Sequence, residues 1–181
     1  HGKTSNNGSQ DSPLSSIKSA VSLAKENDTI HIADGVYRTT SNTRITVDKS
    51  LNLVGSENTV IDGQNTDYLF DICDGVSVTF KNLKFINAYK APESYSISYR
   101  NSVYGAALDI KNATVLVDNC SFIDSVLTYW DGEKYVYGGA VSSFGDLTIR
   151  NSKFINNTAL STSGLYSYGG SLYNNGKASI Y

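Results

Sequence analysis

One unit recurs along the second half of this chain, and that recurrence limits the possible folds more than any local pattern does. GAALDIKNATVLVDNCSFID begins at Gly105, GGAVSSFGDLTIRNSKFINN at Gly138 and GGSLYNNGKASIY at Gly169, so the glycines step by 33 and 31 residues. Aligned on the asparagine ahead of the phenylalanine, Asn82, Asn119 and Asn151 correspond, as do Phe85, Phe122 and Phe154, with steps of 37 and 32. A period of ~20–50 residues marks a stacked architecture, because so small a unit can bury its apolar side only against its neighbours.

Within each unit the apolar residues alternate, as Leu147 and Ile149 do around Thr148 and Val115 and Val117 around Leu116. Alternation is strand periodicity. The stretches Ala140–Ser143, Leu147–Ile149 and Lys153–Ile155 are separated only by Gly or Asn, with no room for a helix. Both residues accept the left-handed backbone of a sharp corner. Three strands and three corners make one turn of a wide coil, so the chain is expected to be all-β, a right-handed single-stranded parallel β-helix.

Charge and composition narrow the function classes. The 15 Lys and Arg against 17 Asp and Glu leave a net charge of −2 with no basic cluster, which argues against a nucleic-acid partner. No apolar run approaches the ~20 residues of a membrane span. No secretory leader opens the chain at His1 and it holds no methionine, so the sequence is expected to be a mature or excised piece. No Cys/His cluster has metal-ligand spacing, and neither a metal nor a cofactor is expected. Cys73 and Cys120 sit at different places in the repeat, and the sequence leaves open whether they are buried thiols or a disulfide across coils.

Taken in order, residues 1–10 are polar and read as a flexible lead-in to a domain over 11–181. After Asp11-Ser12-Pro13, where serine can cap and proline can open a helix, Leu14, Ile17, Ala20, Val21 and Ala24 recur at helical spacing. They predict one amphipathic helix over about 14–26, covering the first coil's otherwise open apolar end. Short alternating stretches follow from Thr29 onward, punctuated by Ala33-Asp34-Gly35, Asp48-Lys49-Ser50, Gly55 and Asp62-Gly63. At the other end, residues 176–181 align with Gly145–Arg150 and stop before the matching phenylalanine strand, so the repeats are expected to continue in a longer parent protein.

SIKSAVSLAKENDTIHIADGVY, ITVDKSLNLVGSENTVIDGQN, the GGAV at Gly138–Val141 and the FINN at Phe154–Asn157 carry a resemblance to a known group. From about Ser12 to its end, the chain resembles the adhesin-like surface proteins of methanogenic archaea. The short repeats are similar to those of the polymorphic outer-membrane proteins of chlamydiae. The resemblance implies an exported right-handed β-helix at the cell surface, with a role in adhesion and no catalytic residues to carry over.

The segments between repeats are the informative irregularity. AYKAPESYSISYRNSVY, SVLTYWDGEKYVY and NTALSTSGLYSY occupy one place in successive units and hold nine of the thirteen tyrosines together with Trp130, so the aromatic content is concentrated on one side of the coil. Insertions at such a place commonly build a binding face, and Tyr and Trp among serines make rigid, amphipathic contact surface. Tyr95, Tyr99, Tyr129, Trp130, Tyr135 and Tyr166 are the expected ligand contacts, with Lys90, Glu93, Arg100, Asp131, Glu133 and Lys134 as rim charges. Tyr104, Tyr137 and Tyr168 precede the glycine in each unit, and that fixed position reads equally as packing. The expected partner is a glycan or protein on another cell or surface. A polysaccharide lyase or hydrolase and a passive stalk are the alternatives.

Chemistry is otherwise hard to find. Glycoside hydrolysis needs two carboxylates across the sugar, and Asp71, Asp74, Asp109, Asp118, Asp124 and Asp146 form no recognisable paired-acid motif. Asn65-Thr66-Asp67 matches a galacturonase tripeptide, but that group's second acidic pair, Gly-His-Gly and Arg-x-Lys are missing. No nucleophile elbow, phosphate loop or calcium loop occurs, so no catalytic residue is assigned.

Overall fold

Short parallel strands make up nearly all of the regular secondary structure in the computed structural model, which describes residues 2–3, 5–91, 102–129, 135–162 and 166–181. Each coil contributes one strand to each of three sheets running the length of the stack. Sheet I takes Ile45–Val47, Phe70–Ile72, Leu108–Ile110, Val141–Ser143 and Leu172–Asn174. Sheet II takes Asp28–His31, Leu51–Val54, Ser77–Lys81, Thr114–Asp118, Asp146–Arg150 and Lys177–Ile180. Sheet III takes Gly35–Tyr37, Thr59–Asp62, Lys84–Ile86, Ser121–Ile123 and Lys153–Ile155. Every pairing between these strands is parallel and in register, so Leu53, Phe80, Val117, Ile149 and Ile180 form one column. The fold is the parallel β-helix that the repeat spacing predicts.

The corners follow from the asparagines. Asn82, Asn119 and Asn151 turn from sheet II into sheet III with φ of 56°, 51° and 53°. Asn87, Asp124 and Asn156 do the same after sheet III with φ of 51°, 55° and 52°. Asn and Asp tolerate this left-handed region better than other side-chain-bearing residues. The Asn119 amide also donates to Asn82 Oδ1 at 2.9 Å, so the corner side chains tie one coil to the next. Asp118 joins in, accepting from Arg150 Nη2 at 3.1 Å and Asn151 Nδ2 at 3.3 Å. Those donors, Arg150 foremost, hold its carboxyl below the ordinary value against the opposing effect of burial.

Inside the coil the inward positions of all three sheets meet. Phe85, Phe122 and Phe154 stack with ring centroids 4.9 and 4.8 Å apart, and Phe70 and Phe80 pack edge-on beside them. Cys120 is buried in this core, where desolvation pushes its thiol up to about 12, while Cys73 is only half-buried. Both cysteines are free, which leaves no bridge across coils.

The cap helix is shorter than its periodicity predicts, spanning Ile17–Leu23. Its N-cap is Ser16, whose Oγ accepts from the Ser19 N–H at 3.1 Å, and Asn42 Oδ1 accepts from the Ile17 N–H at 2.9 Å. Two first-turn donors are thus satisfied, so the helix starts there and not behind Pro13. Ile17 and Val21 face the core. The lead-in is tied back to this region through Lys3 N–H to the Pro13 carbonyl at 3.1 Å and Asn6 Nδ2 to the same carbonyl at 2.7 Å.

Two further sheets arise only where the tyrosine-rich segments leave the coil. Sheet IV stacks Tyr89–Lys90, Val126–Tyr129 and Thr158–Ser161; sheet V stacks Val103–Tyr104, Val136–Tyr137 and Ser167–Tyr168. They are the outgoing and returning legs of each excursion and lie against one another. Val103, Leu127, Tyr129 and Val136 are buried between and beneath them. The excursions therefore have an ordered, parallel-stacked base with its own apolar filling.

Candidate functional site: an aromatic edge along the stack

The return legs each end in a tyrosine followed by a glycine turn. Gly138 and Gly169 have φ of 72° and 63°, and a Cβ at either would lie 2.0 Å from the carbonyl oxygen three residues on. Only glycine fits a reversal this tight, and it fixes where the preceding tyrosine stands. Because sheet V pairs Tyr104 with Tyr137 and Tyr137 with Tyr168, the three rings fall one above another. Their centroids are 5.3 and 5.1 Å apart, with interplanar angles of 14° and 7°. A second column runs beside it, Tyr135 on Tyr166 at 6.1 Å and 13°. Tyr173 closes on Tyr137 at 4.6 Å, and Phe144 meets Tyr104 edge-on at 5.1 Å, so the ladder is anchored to the coil below it.

Exposure separates these rings. Tyr135, Tyr166 and Tyr168 are 38%, 61% and 40% exposed, while Tyr104, Tyr137 and Tyr173 are half-buried. Tyr135 is the informative one, since it lies in an inner coil with Tyr166 stacked on one face and still reaches solvent. The parallel stacking uses the ring faces against one another, so the ridge offers solvent mainly ring edges and hydroxyls. Tyr137's phenol is held above the ordinary value, first by burial and then by the neighbouring phenols of Tyr104, Tyr173, Tyr168 and Tyr135.

The expected contact residues divide accordingly. Tyr135 and Tyr166 are on the ridge. Tyr129 is not: it is 5% exposed and belongs to the core, because its strand puts Leu127 inward and the residue two further along must follow. Tyr95, Tyr99 and Trp130 lie outside the described residues, as do the rim charges Glu93, Arg100, Asp131, Glu133 and Lys134. The tyrosines at the fixed position, Tyr137 and Tyr168 above all, prove to be both packing and part of the edge.

Lys90, expected as a rim charge, is instead a clamp. Its ammonium donates to Asp109 Oδ2 at 2.9 Å and Asp71 Oδ1 at 3.1 Å and lies 4.9 Å from the centre of the Tyr68 ring. Ser142 Oγ donates to Asp109 Oδ1 at 3.3 Å. Burial acts to lower the Lys90 pKa, but the two carboxylates outweigh it and raise it above the ordinary value. Asp71 and Asp109 are register partners on the outer face of sheet I, a paired carboxylate that no motif displays because 38 residues separate them. With one ammonium bonded to both, the pair fastens the outgoing leg of the first excursion to the coil. Among the described residues no group of His, Cys, Asp and Glu is arranged to hold a metal ion, and no helix is long and apolar enough to cross a membrane.

No curated protein and no solved structure matches this chain. A family model does match, over residues 1–168, and it covers coil, clamp and aromatic edge together: the chain belongs to the family described as Protein of unknown function (DUF1565).

Proposed function

We propose that this protein is an adhesin-like binding module of the cell surface, and that the tyrosine edge contacts a glycan or protein on another cell or surface. The observation that carries this reading is the exposed, anchored aromatic edge, with Tyr135 open to solvent in an inner coil. Tyrosine combines contact area with a polar tip at low cost in rotamer freedom, which is why it is favoured in recognition surfaces. The ordering of the excursions supports the same reading. Each ordered backbone residue costs ~1–2 kcal/mol of conformational entropy, and a coil built only to act as a spacer has no use for the extra legs of sheets IV and V. The sequence resemblance to archaeal adhesin-like surface proteins agrees with an extracellular setting.

The experiment is a binding screen of the folded chain against whole cells, surface glycans and cell-wall polymers, run beside an assay for polymer cleavage. The expected result is saturable binding without products. Turnover would favour the lyase or hydrolase reading, and neither binding nor turnover would favour a spacer.

A further inference from the structure

We propose that the tyrosine edge is a docking row for one class of ligand, an extended, linear, neutral β-linked glycan lying parallel to the solenoid axis with one sugar beside each coil. The inference rests on the adhesive reading and specifies its ligand.

Three features of the edge select that ligand. The first is the repeat. Tyr104, Tyr137 and Tyr168 are register partners, so equivalent atoms recur at the strand spacing of ~4.7–4.9 Å. An extended β-linked hexose chain advances by a closely similar step per sugar; neighbouring sugars of a β-1,4 chain are turned over, so each coil meets a hydroxyl-bearing edge of one sugar, with the same hydroxyl returning every second coil. A compact ligand or a helically wound α-linked glycan loses that register after one coil.

The second feature is what the rings leave available. With interplanar angles of 14°, 7° and 13° between neighbours, most ring faces are covered by other rings, so a sugar cannot lie flat on each one. Edges and phenolic hydroxyls remain. Each hydroxyl donates one hydrogen bond and accepts others, a match for sugar hydroxyls. Burial first, and then the neighbouring phenols, favour the neutral, donating form of Tyr137.

The third is charge. Among the described residues, every ion pair lies elsewhere: at the corners, at the clamp and near the first coils. The edge consists of Tyr-Val-Tyr at 135–137 and Tyr-Ser-Tyr at 166–168, with Val103-Tyr104 below them. Among its described residues none carries a charge to pair with a uronate or phosphate polymer.

The test measures binding of β-1,4-linked glucose oligomers of increasing length, with α-1,4-linked oligomers as controls. Affinity is expected to rise with each added sugar and then level off, with little binding of the α-linked series. Replacing the hydroxyls but keeping the rings, in a Tyr135→Phe, Tyr137→Phe, Tyr168→Phe variant, should weaken binding at least about tenfold at an unchanged thermal midpoint, as loss of several hydrogen bonds requires. Should that variant fold poorly, Tyr166→Phe alone, at the most exposed ring, should still weaken binding measurably. Binding to cells or proteins without binding to the oligomers, length-independent binding, or full affinity in the Phe variants would overturn this proposal and leave the adhesive reading standing. Self-association of the protein that the Phe variants abolish would also overturn it, making a second copy the occupant. Failure to bind any surface would remove both.

Discussion

Tyr129 and Tyr166 sit in equivalent tyrosine-rich segments and look alike in sequence, yet the fold gives them opposite duties. Tyr129 fills the space beneath sheets IV and V, whereas Tyr166 caps an exposed column. Tyr129→Ala should cost about 3–5 kcal/mol in urea unfolding, and Tyr166→Ala about 0.5 kcal/mol or less. Equal effects would contradict this division. The difference was readable in principle, because alternation from Leu127 places Tyr129 inward; it is missed when the segment is treated as a loop and the strand period is not carried through it. The corner asparagines were plain from the repeat. Asn119, at a φ of 51°, should lose about 1–2 kcal/mol on replacement by alanine and less by glycine, which shares its access to left-handed backbone. Cys120, with its thiol pushed up to about 12 by burial, should resist alkylation in the native protein at pH 8 while half-buried Cys73 reacts, and mass mapping of the labelled peptides would show it.

At the scale of elements, the three sheets of the coil follow from residues that recur, and sheets IV and V from residues that do not. Phe85, Phe122 and Phe154 announce sheet III because the same side chain returns in the same place. The legs of the excursions share no motif beyond tyrosine before glycine, and several of their strands are only two residues long, too short for alternation to register. The clamp was equally hidden: Lys90 lies 19 residues from both Asp71 and Asp109, and only stacking brings the three together. Its loss has a defined signature. Lys90→Met leaves two adjacent carboxylates without their cation and should destabilise by about 3 kcal/mol, at the lower end for a broken buried pair because Asp71 is 25% exposed. Adding Asp71→Asn should recover part of that. Because the folded state raises the Lys90 pKa, the clamp's contribution is fully present below the unfolded lysine value of ~10.4 and fades as pH climbs through the folded value. Urea midpoints measured from pH 8 upward should therefore fall on the alkaline side in the native chain and fall less in Lys90→Met.

Over the whole molecule, the solenoid acts as a ruler. Parallel register carries every side chain of one coil to the same place in the next, so a single tyrosine position becomes a column, and a column exposed along its edge becomes a surface. The helix Ile17–Leu23 covers one end of the core, and the corner bonds of Asn82, Asn119, Asp118 and Arg150 keep the coils from slipping. Such a frame allows the exposed rings to be altered without disturbing the fold, which is what makes the central claim testable. The most direct measurement compares the native chain with a Tyr135→Ala, Tyr166→Ala, Tyr168→Ala variant in binding to the cells or polymers that the native chain retains, with unfolding followed in parallel. The account predicts binding weakened by the ~2 kcal/mol or more of a lost hot spot and an unfolding midpoint shifted only slightly. Undiminished binding by the folded variant would contradict it and place the contact surface elsewhere on the coil.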